Sequence, residues 1–339
     1  MAIKLLCWNV EWMNDLFDGD GNFRPDSHKP QHAKSTTVKK RREQLAGVID
    51  EIAAEVVVVV EGPNRTKELQ LFFDTDVAGT WHTYIQNTKG ATQCLGVAVR
   101  TDTGKFDDTM PLRSFNTAID ERFDDFMLDS EDDGIIELYK FERKPVYVEL
   151  KLVNGERFRI LGLHLKSKGI FDLLEWSKWW DKALSNRRKI FASAAHLREK
   201  FIELYYVENE TKNIPLIVCG DINDGPGFDT SEKKIMGSGI ERLMGDVWKP
   251  HTILGNALYD TYQSLDISTT RFTDPIFNYN YKFHYVWIDH ILYTNTRPGW
   301  VSNGQIHTDM QEGKIWTVYK HASDHQPISA EINLEDRDA

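Results

Sequence analysis

A run of five consecutive valines, Val56–Val60, limits the folds open to this chain more than any other segment. Valine is β-branched, and an unbroken apolar run of this length fits a strand that is buried on both faces. Such a strand needs a covering layer on each side, which excludes a sheet with one open face. Apolar residues recur at helical spacing over residues 34–55, and Glu61-Gly62-Pro63 predicts a turn after the run. We therefore expect a helix that leads into a fully buried strand.

The same order of elements occurs a second time along the chain. An apolar strand over residues 158–163 ends at His164, a helix is predicted over residues 186–206, and residues 216–219 predict another short buried strand. A strand predicted over residues 3–10 precedes the first helix, so the chain contains two strand–helix–strand units. Shorter strands are predicted over residues 95–100, 146–152, 286–293 and 326–332. This pattern predicts an α/β fold with two sheet layers flanked by helices.

Composition and length set the remaining limits on the fold. The chain has 339 residues, of which 41% are hydrophobic, so it can bury a sizeable core and is not predicted to be disordered. We find no linker rich in Pro or Ser, which favours one domain over residues 1–335 with a short tail over residues 336–339. The N-terminus lacks the features of a signal peptide, and no apolar run reaches 18 residues. We therefore expect a cytoplasmic protein with no membrane insertion and no obligate protein partner.

Side chains that can do chemistry stand where the predicted strands end. Taken singly, each of them is more often a turn or helix-cap residue, but the set recurs at every buried strand. Oxygen ligands without a cluster of thiolates suit a hard cation such as Mg²⁺ or Mn²⁺ rather than structural zinc. Two histidines add groups that can exchange protons with a phosphate. The residues are Asn9, Glu11, Glu61, His164, Asp221, Asn223, Asp289, Asp324 and His325.

These residues belong to short motifs that follow one another in a fixed order along the chain. The motifs are Trp8-Asn9-Val10-Glu11, Val60-Glu61, His164-Leu165-Lys166-Ser167-Lys168, Gly220-Asp221-Ile222-Asn223-Asp224, Ile288-Asp289-His290-Ile291-Leu292 and Ser323-Asp324-His325. The ordered set resembles the endonuclease/exonuclease/phosphatase superfamily of deoxyribonuclease I-like and exonuclease III-like enzymes, and looks most like its bacterial nucleases. The resemblance implies a four-layered αββα sandwich of two packed mixed sheets flanked by helices, with pseudo-twofold halves. Val60 departs from the pattern, because relatives commonly have glutamine before the metal-binding glutamate.

The resemblance also implies roles for individual residues. Glu61 would hold the Mg²⁺ or Mn²⁺ ion. Three residues would lie near that ion: Asn9, Glu11 and Asp324. The catalytic set would be His164, Asp221, Asn223, Asp289 and His325. His325 would pair with Asp289, and His164 would donate to a phosphoryl oxygen as water attacks the phosphodiester in line. The resemblance leaves open whether His325 or Asp221 is the base, and whether one metal ion or two act.

The charge distribution bears on the substrate. A formal net charge of −11 argues against a polyanionic partner. However, Lys39-Lys40-Arg41-Arg42 opens the first predicted helix and Arg187-Arg188-Lys189 opens the second. Cations at a helix N-terminus oppose the helix dipole, so their placement favours a role in holding a polyanion, although ordinary solvated or paired charges are the alternative. The predicted substrate-binding residues are Lys166, Arg41, Arg42, Arg187 and Arg188.

The leading hypothesis is therefore a metal-dependent nuclease that binds DNA or RNA transiently and cleaves it. The first alternative is a phosphodiesterase or phosphatase that acts on a small nucleotide, a sugar phosphate or a phospholipid. The second alternative is a binding module that has lost catalysis. No residue of the expected catalytic set is missing, which argues against that second alternative.

Overall fold

The computed structural model describes residues 2–32, 36–88, 90, 92–115, 121–130, 133–169, 176–227, 232–273, 283–307 and 318–335. The strands are β1 (Ala2–Asn9), β2 (Val56–Gly62), β3 (Trp81–Gln86), β4 (Cys94–Arg100), β5 (Leu112–Ser114), β6 (Phe126–Leu128), β7 (Glu137–Tyr139), β8 (Val146–Lys151), β9 (Arg157–His164), β10 (Leu216–Asp221), β11 (Leu254–Asn256), β12 (Thr270–Thr273), β13 (Phe283–Val286), β14 (Asp289–Thr294), β15 (Val301–Ile306) and β16 (Ile328–Asn333). The α-helices are α1 (Val38–Ile52), α2 (Thr66–Asp76), α3 (Trp179–Leu197), α4 (Glu203–Tyr205), α5 (Glu232–Ile235), α6 (Gly239–Met244) and α7 (Ala257–Tyr262).

Two six-stranded mixed sheets contain most of these strands. The first has the order β15-β16-β1-β2-β4-β3 and the second the order β11-β14-β10-β9-β8-β5. Each has one parallel pair at its centre, β1 with β2 and β9 with β10, and both flanking neighbours of that pair are antiparallel to it. When the second sheet is read from β5 to β11, it repeats the arrangement of the first. In each sheet a long helix connects the two parallel strands, α1 between β1 and β2 and α3 between β9 and β10. The pseudo-twofold halves expected from the sequence are therefore present.

The valine run shows how the layers are built. Val56, Val58 and Val60 enter the core between the two sheets, where residues of β8, β9 and β10 meet them. Val57 and Val59 point the opposite way, into a second core beneath α1 and α2. A third core lies between the second sheet and the helices α3 and α6. The order is therefore helices, sheet, sheet, helices, which confirms the predicted four-layered sandwich.

Two predicted elements have different limits in the structure. The second long helix begins at Trp179 rather than near residue 186, so Arg187 and Arg188 lie in its third turn and do not open it. The strand predicted over residues 286–293 is two strands, since β13 ends at Val286 and β14 begins at Asp289. The predicted tail over residues 336–339 lies outside the described residues. Within the described residues, no helix is long and apolar enough to cross a membrane.

Gly220, the residue before Asp221, allows β10 to approach β9 closely. Its φ is +143°, and a Cβ atom built there would lie 1.9 Å from the carbonyl oxygen of Leu163. An alanine would have to push apart the two parallel strands whose ends carry His164 and Asp221.

We expect Gly220→Ala to lower the free energy of unfolding by about 3 kcal/mol or more, because both backbone strain and a steric clash result. Gly104→Ala is the matched control, since Gly104 also has a positive φ (+67°) but open space around its Cβ position. Urea denaturation followed by circular dichroism would measure both. Equal losses in the two variants would show that close strand approach at Gly220 does not matter.

Candidate active site

The sequence motifs meet at one edge of the sandwich because of the directions of the strands. The four central parallel strands finish at this edge with the side chains Asn9, Glu61, His164 and Asp221. An antiparallel neighbour starts where they finish, so Asp289 at the beginning of β14 stands opposite Asp221 in the register. His325 lies just before β16, which runs antiparallel to β1. Rigid strands from both sheets therefore aim all six side chains at one place.

The loops at this edge are fixed by side chains that accept a hydrogen bond from the backbone two residues later. Asn9 Oδ1 accepts from the N–H of Glu11 at 3.0 Å, and Asp221 Oδ1 accepts from the N–H of Asn223 at 2.9 Å. Glu11 and Asn223 both have left-handed backbone, with φ of 50° and 56°. Short polar side chains favour such turns by bonding to their own backbone. The two halves thus present their site residues by the same local device.

Asp221 is at the centre of the site. Its Oδ2 atom lies 3.1 Å from Asn9 Nδ2, 3.8 Å from His164 Nε2 and 3.9 Å from His325 Nε2. Burial, together with the negative charge of Asp289, raises the pKa of Asp221 to about 7. The carboxyl group of Asp221 can therefore hold or release a proton near neutral pH.

His325 is held as a cation. Its Nδ1 atom lies 2.8 Å from Asp289 Oδ2, and the backbone N–H of Asp289 donates to Thr269 Oγ1 at 3.1 Å. Burial alone would lower the pKa of His325, but Asp289, and to a lesser extent Asp324 and Asp221, hold this pKa well above its ordinary value. With Nδ1 bonded to Asp289, Nε2 lies 3.9 Å from Asp221 Oδ2.

The surroundings of His164 favour its neutral form instead. Its Nε2 atom is 3.8 Å from both Glu61 Oε1 and Asp221 Oδ2, and the side chain is buried. Burial, with a smaller contribution from the positive charge of Arg143, holds the pKa of His164 well below its ordinary value. A neutral imidazole in this position can donate a hydrogen bond to an oxygen without carrying charge.

Carboxylates gather beside these histidines in a way that suits a divalent cation. Burial, together with the nearby negative charges of Asp324 and Glu61, raises the pKa of Glu11 to about 7. Glu61 accepts hydrogen bonds from the backbone N–H of Trp12 at 2.9 Å and from Asn9 Nδ2 at 3.3 Å. Carboxylate and amide oxygens are the ligands that Mg²⁺ and Mn²⁺ prefer, and a cation would relieve the repulsion among the carboxylates. The residues present therefore fit such an ion.

A second group of possible metal ligands has a better explanation. Potential ligand atoms of Asp221, Asp289 and His325 all lie within 4.8 Å of one another. However, the Nδ1 atom of His325 is already bonded to Asp289, and this bond accounts for the raised pKa of the histidine. A cation that used Nδ1 as a ligand would have to displace the proton that joins His325 to Asp289. This group therefore suits proton transfer better than metal binding, whereas the oxygen-rich cluster around Glu61 fits a cation.

The structure corrects the role predicted for Arg41. Its side chain is fully buried, and its guanidinium donates to the backbone carbonyls of Val10, at 3.0 Å, and Glu11. It also lies 3.8 Å from the carboxylate of Glu11. A side chain in this position cannot meet a substrate from solvent. Arg41 instead supports the loop that presents Glu11, and it offsets part of the negative charge there.

The other predicted substrate-binding cations differ in their surroundings. Arg42 forms a two-point pair with Asp76, at 2.7 and 2.9 Å, and lies over the ring of Phe23, so it has a structural role. Lys166 lies 3.1 Å from Glu142 and remains partly exposed. Arg187 donates to the carbonyl of Lys168, and Arg188 lines a surface pocket with Glu137 and Glu142. Lys166, Arg187 and Arg188 remain predictions as substrate-binding residues.

Three residues of the site were not assigned from the sequence. Thr269 accepts hydrogen bonds from the backbone N–H groups of Ile288 and Asp289, both at 3.1 Å, and so fixes the start of β14. Gln93 donates to Glu61, and Arg143 donates to Gln93. The basic step Arg143-Lys144-Pro145 is visible in the sequence, but Thr269 and Gln93 have no motif around them that would have identified them.

The fit of the carboxylate cluster to a cation leads to a stability prediction. We expect Mn²⁺ in excess over EDTA to raise the melting temperature, because an ion held at 100 times its Kd stabilises the folded state by about 2.7 kcal/mol. Glu61→Gln should lose most of this shift. Glu55→Gln is the matched control, since Glu55 lies before the other end of β2 and pairs with Lys105. Differential scanning fluorimetry of the three proteins would measure the shift, and an equal shift in all three would contradict the assignment.

The burial of Arg41 leads to a second prediction. We expect Arg41→Met to lower the free energy of unfolding by about 3–5 kcal/mol, because it leaves the Glu11 carboxylate and two backbone carbonyls without their cation. Lys40→Met, at an exposed position of the same helix, should change stability little. Chemical denaturation would compare them. Wild-type stability in Arg41→Met together with weaker substrate binding would restore the role first predicted.

No protein-family model matches the sequence, and no curated protein sequence matches it. Solved structures do match, over nearly the whole chain. An endonuclease/exonuclease/phosphatase family protein from Bacteroides thetaiotaomicron is 16% identical with a TM-score of 0.54, and the match covers 100% of this chain and 98% of that one. The mannosyl-6-phosphatase of the same organism is 15% identical with a TM-score of 0.52, with coverage of 98% and 100%. Truncated TDP2 from Caenorhabditis elegans is 12% identical with a TM-score of 0.51, with coverage of 98% and 97%. The fold of this chain is therefore that of the endonuclease/exonuclease/phosphatase superfamily, as its ordered motifs predicted.

Proposed function

We propose that this protein is a divalent-metal-dependent hydrolase of phosphoester bonds. The observation that carries the proposal is the arrangement around Asp221, where a cationic His325, a neutral His164 and the carboxylate cluster at Glu61 meet within one buried site. Water attack on a phosphoester requires a base, donors to the phosphoryl oxygens, and stabilisation of the developing charge. The site contains a candidate for each requirement.

Asp221, His164 and His325 have separate roles in the proposed reaction. Asp221 takes the proton of the attacking water, because its pKa of about 7 lets it accept a proton near neutral pH. His164 donates to a phosphoryl oxygen. Because it is neutral, it does not form a salt bridge with the nearby carboxylates. His325, kept charged by Asp289, stabilises the negative charge that builds in the transition state.

A divalent cation held by Glu61, with Asn9, Glu11 and Asp324 near it, would supply Lewis-acid polarisation of a phosphoryl oxygen. Arg143 supports the same side of the site, since its charge acts on His164 and its side chain is 18% exposed. Arg143 is therefore positioned to meet an anionic group that enters the site.

We propose a nucleic acid as the first candidate substrate. Support comes from the partly exposed cations Lys166 and Arg143 beside the site, together with Arg187 and Arg188 on α3. The net charge of −11 disfavours tight, salt-resistant binding, so we expect transient capture and cleavage of the strand.

A small phosphoester is the second candidate, and one observation favours it. Three cations that could have extended a polyanion-binding surface are used inside the protein. Arg41 is buried, Arg42 is paired with Asp76, and Lys168 is paired with Asp224 and Glu232. The fold neighbours include both a protein named as a mannosyl-6-phosphatase and TDP2, so the fold alone does not choose between the candidates.

A substrate panel would test the proposal and separate the two candidates. Circular plasmid, end-labelled single-stranded DNA and RNA, mononucleotides and mannose 6-phosphate would each be incubated with Mg²⁺, Mn²⁺ or EDTA. We expect metal-dependent hydrolysis, with nucleic acid cleaved faster than the small esters. Asp221→Asn and His325→Gln should each lower kcat by about 100-fold or more, because each removes a proton-transfer or charge-stabilising group.

His307→Gln is the matched control for the histidine variant. His307 is also partly buried and bonds to Ser329 Oγ at 2.7 Å, but it makes no contact with the site residues named above among those described. It should keep wild-type activity. Absence of hydrolysis of every ester with either metal, or wild-type rates in Asp221→Asn, would refute the proposed function. Faster hydrolysis of the small esters would replace the nuclease with the second candidate.

A further inference from the structure

Gln93 joins two charged residues of the candidate site, Glu61 and Arg143. Its side-chain amide N–H donates to Glu61 Oε2, and its side-chain carbonyl accepts from the Arg143 guanidinium. The side chain of Gln93 is 3% exposed, so water does not compete freely for these bonds. Glu61 and Arg143 come from separate segments of the chain, on β2 and just before β8. One buried amide therefore connects the proposed metal ligand to a cation on the substrate side.

The backbone is shaped to make this contact. The pairing of β2 with β4 shifts between Val59 and Gly62, so one more residue lies on β2 than on β4 in this interval. Such a bulge turns a side chain away from the direction that regular strand alternation would give it. Glu61 on the bulged strand and Gln93 before β4 both have left-handed backbone, with φ of 59° and 62°. Non-glycine residues adopt this conformation at a free-energy cost, and they are concentrated at functional sites.

Only a side-chain amide of this length makes both bonds at once. A carboxylate in its place would pair with Arg143 but repel Glu61, and a lysine would pair with Glu61 but repel Arg143. A neutral amide satisfies both charges without adding a further charge to the site. It also fixes which oxygen of Glu61 is engaged, since Oε2 accepts from Gln93 and from the backbone N–H of Trp12. Oε1 then faces His164 and Asn9.

We propose that Gln93 is a positioning residue that couples metal binding at Glu61 to the binding of a phosphate group at Arg143. The inference rests on the proposed function, since it takes Glu61 as the metal ligand and the substrate as a phosphoester. A phosphate group that binds to Arg143 changes the strength of the hydrogen bond from Arg143 to the Gln93 amide. The amide in turn orients the Glu61 carboxylate. Because coupling between two binding sites is reciprocal, each ligand changes the affinity for the other by the same factor. Groups that orient a metal ligand change its affinity for the metal even though they do not touch the ion.

The test measures Mn²⁺ affinity directly, without turnover. Electron paramagnetic resonance of free Mn²⁺ gives the Kd in the presence and absence of dimethyl phosphate, a small phosphodiester anion. In the wild-type protein we expect dimethyl phosphate to tighten Mn²⁺ binding by about 5-fold or more. In Gln93→Met, which keeps the side-chain length but makes neither bond, Mn²⁺ should bind about 10–100-fold more weakly. The tightening by dimethyl phosphate should fall to about 1-fold.

Two further variants sharpen the result. Gln86→Met is the matched control, because Gln86 is also a buried glutamine, on β3 next to the start of β4, and bonds only to Tyr84 and Asn87 among the described residues. It should keep the wild-type Kd and the wild-type coupling. Arg143→Met should lose the coupling while retaining more of the Mn²⁺ affinity than Gln93→Met does, because the amide still reaches Glu61.

The outcomes separate this inference from the proposed function. Failure of the wild-type protein to bind Mn²⁺ would refute the metal site, and with it the proposed coupling. If the wild-type protein binds Mn²⁺ and Gln93→Met shows the same Kd and the same coupling, only the role of Gln93 is refuted, and the metal site stands. Circular dichroism in EDTA checks that each variant is folded. If Gln93→Met does not fold, Arg143→Met decides the question, since unchanged coupling in that variant overturns the proposal.

Discussion

A buried hydrogen bond from Asn9 Nδ2 to Asp221 Oδ2 joins central strands of the two sheets at the candidate site. Its partners are 212 residues apart and lie at the ends of central strands in different halves. The bond forms only because the inter-sheet core holds those strand ends in register. Close packing keeps the strand ends in place, because a densely packed core leaves no room for one sheet to slide over the other. The core therefore determines the position of the chemistry even though its own side chains take no part in it.

The site concentrates negative charge, and the protein offsets that charge with arginines placed at different depths. Arg41 is fully buried behind the loop that carries Glu11. Arg143 reaches Glu61 through the amide of Gln93. Arg41 lies 3.8 Å from the Glu11 carboxylate, and Arg143 acts on Glu61 through the Gln93 amide, so the Glu61 carboxylate keeps lone pairs for a cation. The net charge of −11 thus says little about the site, because the local balance is set by which cations are buried close to it.

Much of the fold and of the site could be predicted because the relevant physics is local in sequence. Buried strands need unbroken apolar runs, and the residue that ends each run lies at the sheet edge, so the positions of Glu61 and Asp221 at that edge could be predicted. The start of α3 was misplaced because Trp179 precedes the clearest apolar periodicity. The role of Arg41 was wrong because it depends on which side of α1 faces the loop at Glu11. Gln93 could not be found, since its partners Glu61 and Arg143 lie 32 and 50 residues away.

The two histidines show why position within this fold matters more than residue type. Both are buried beside Asp221, yet the pKa of His325 is held high and that of His164 is held low. The difference follows from their other neighbours. His325 bonds to Asp289 on β14, whereas the charges that act on His164, after the effect of burial, are the cations Arg143, His325 and Lys166. Each half of the fold contributes one histidine to the same carboxylate, and the antiparallel neighbour of β10 gives only one of them an anionic partner. The bond to Asp289 is therefore what distinguishes the two histidines, since it favours the protonated form of His325 alone and so suits the two side chains to different tasks in the proposed reaction.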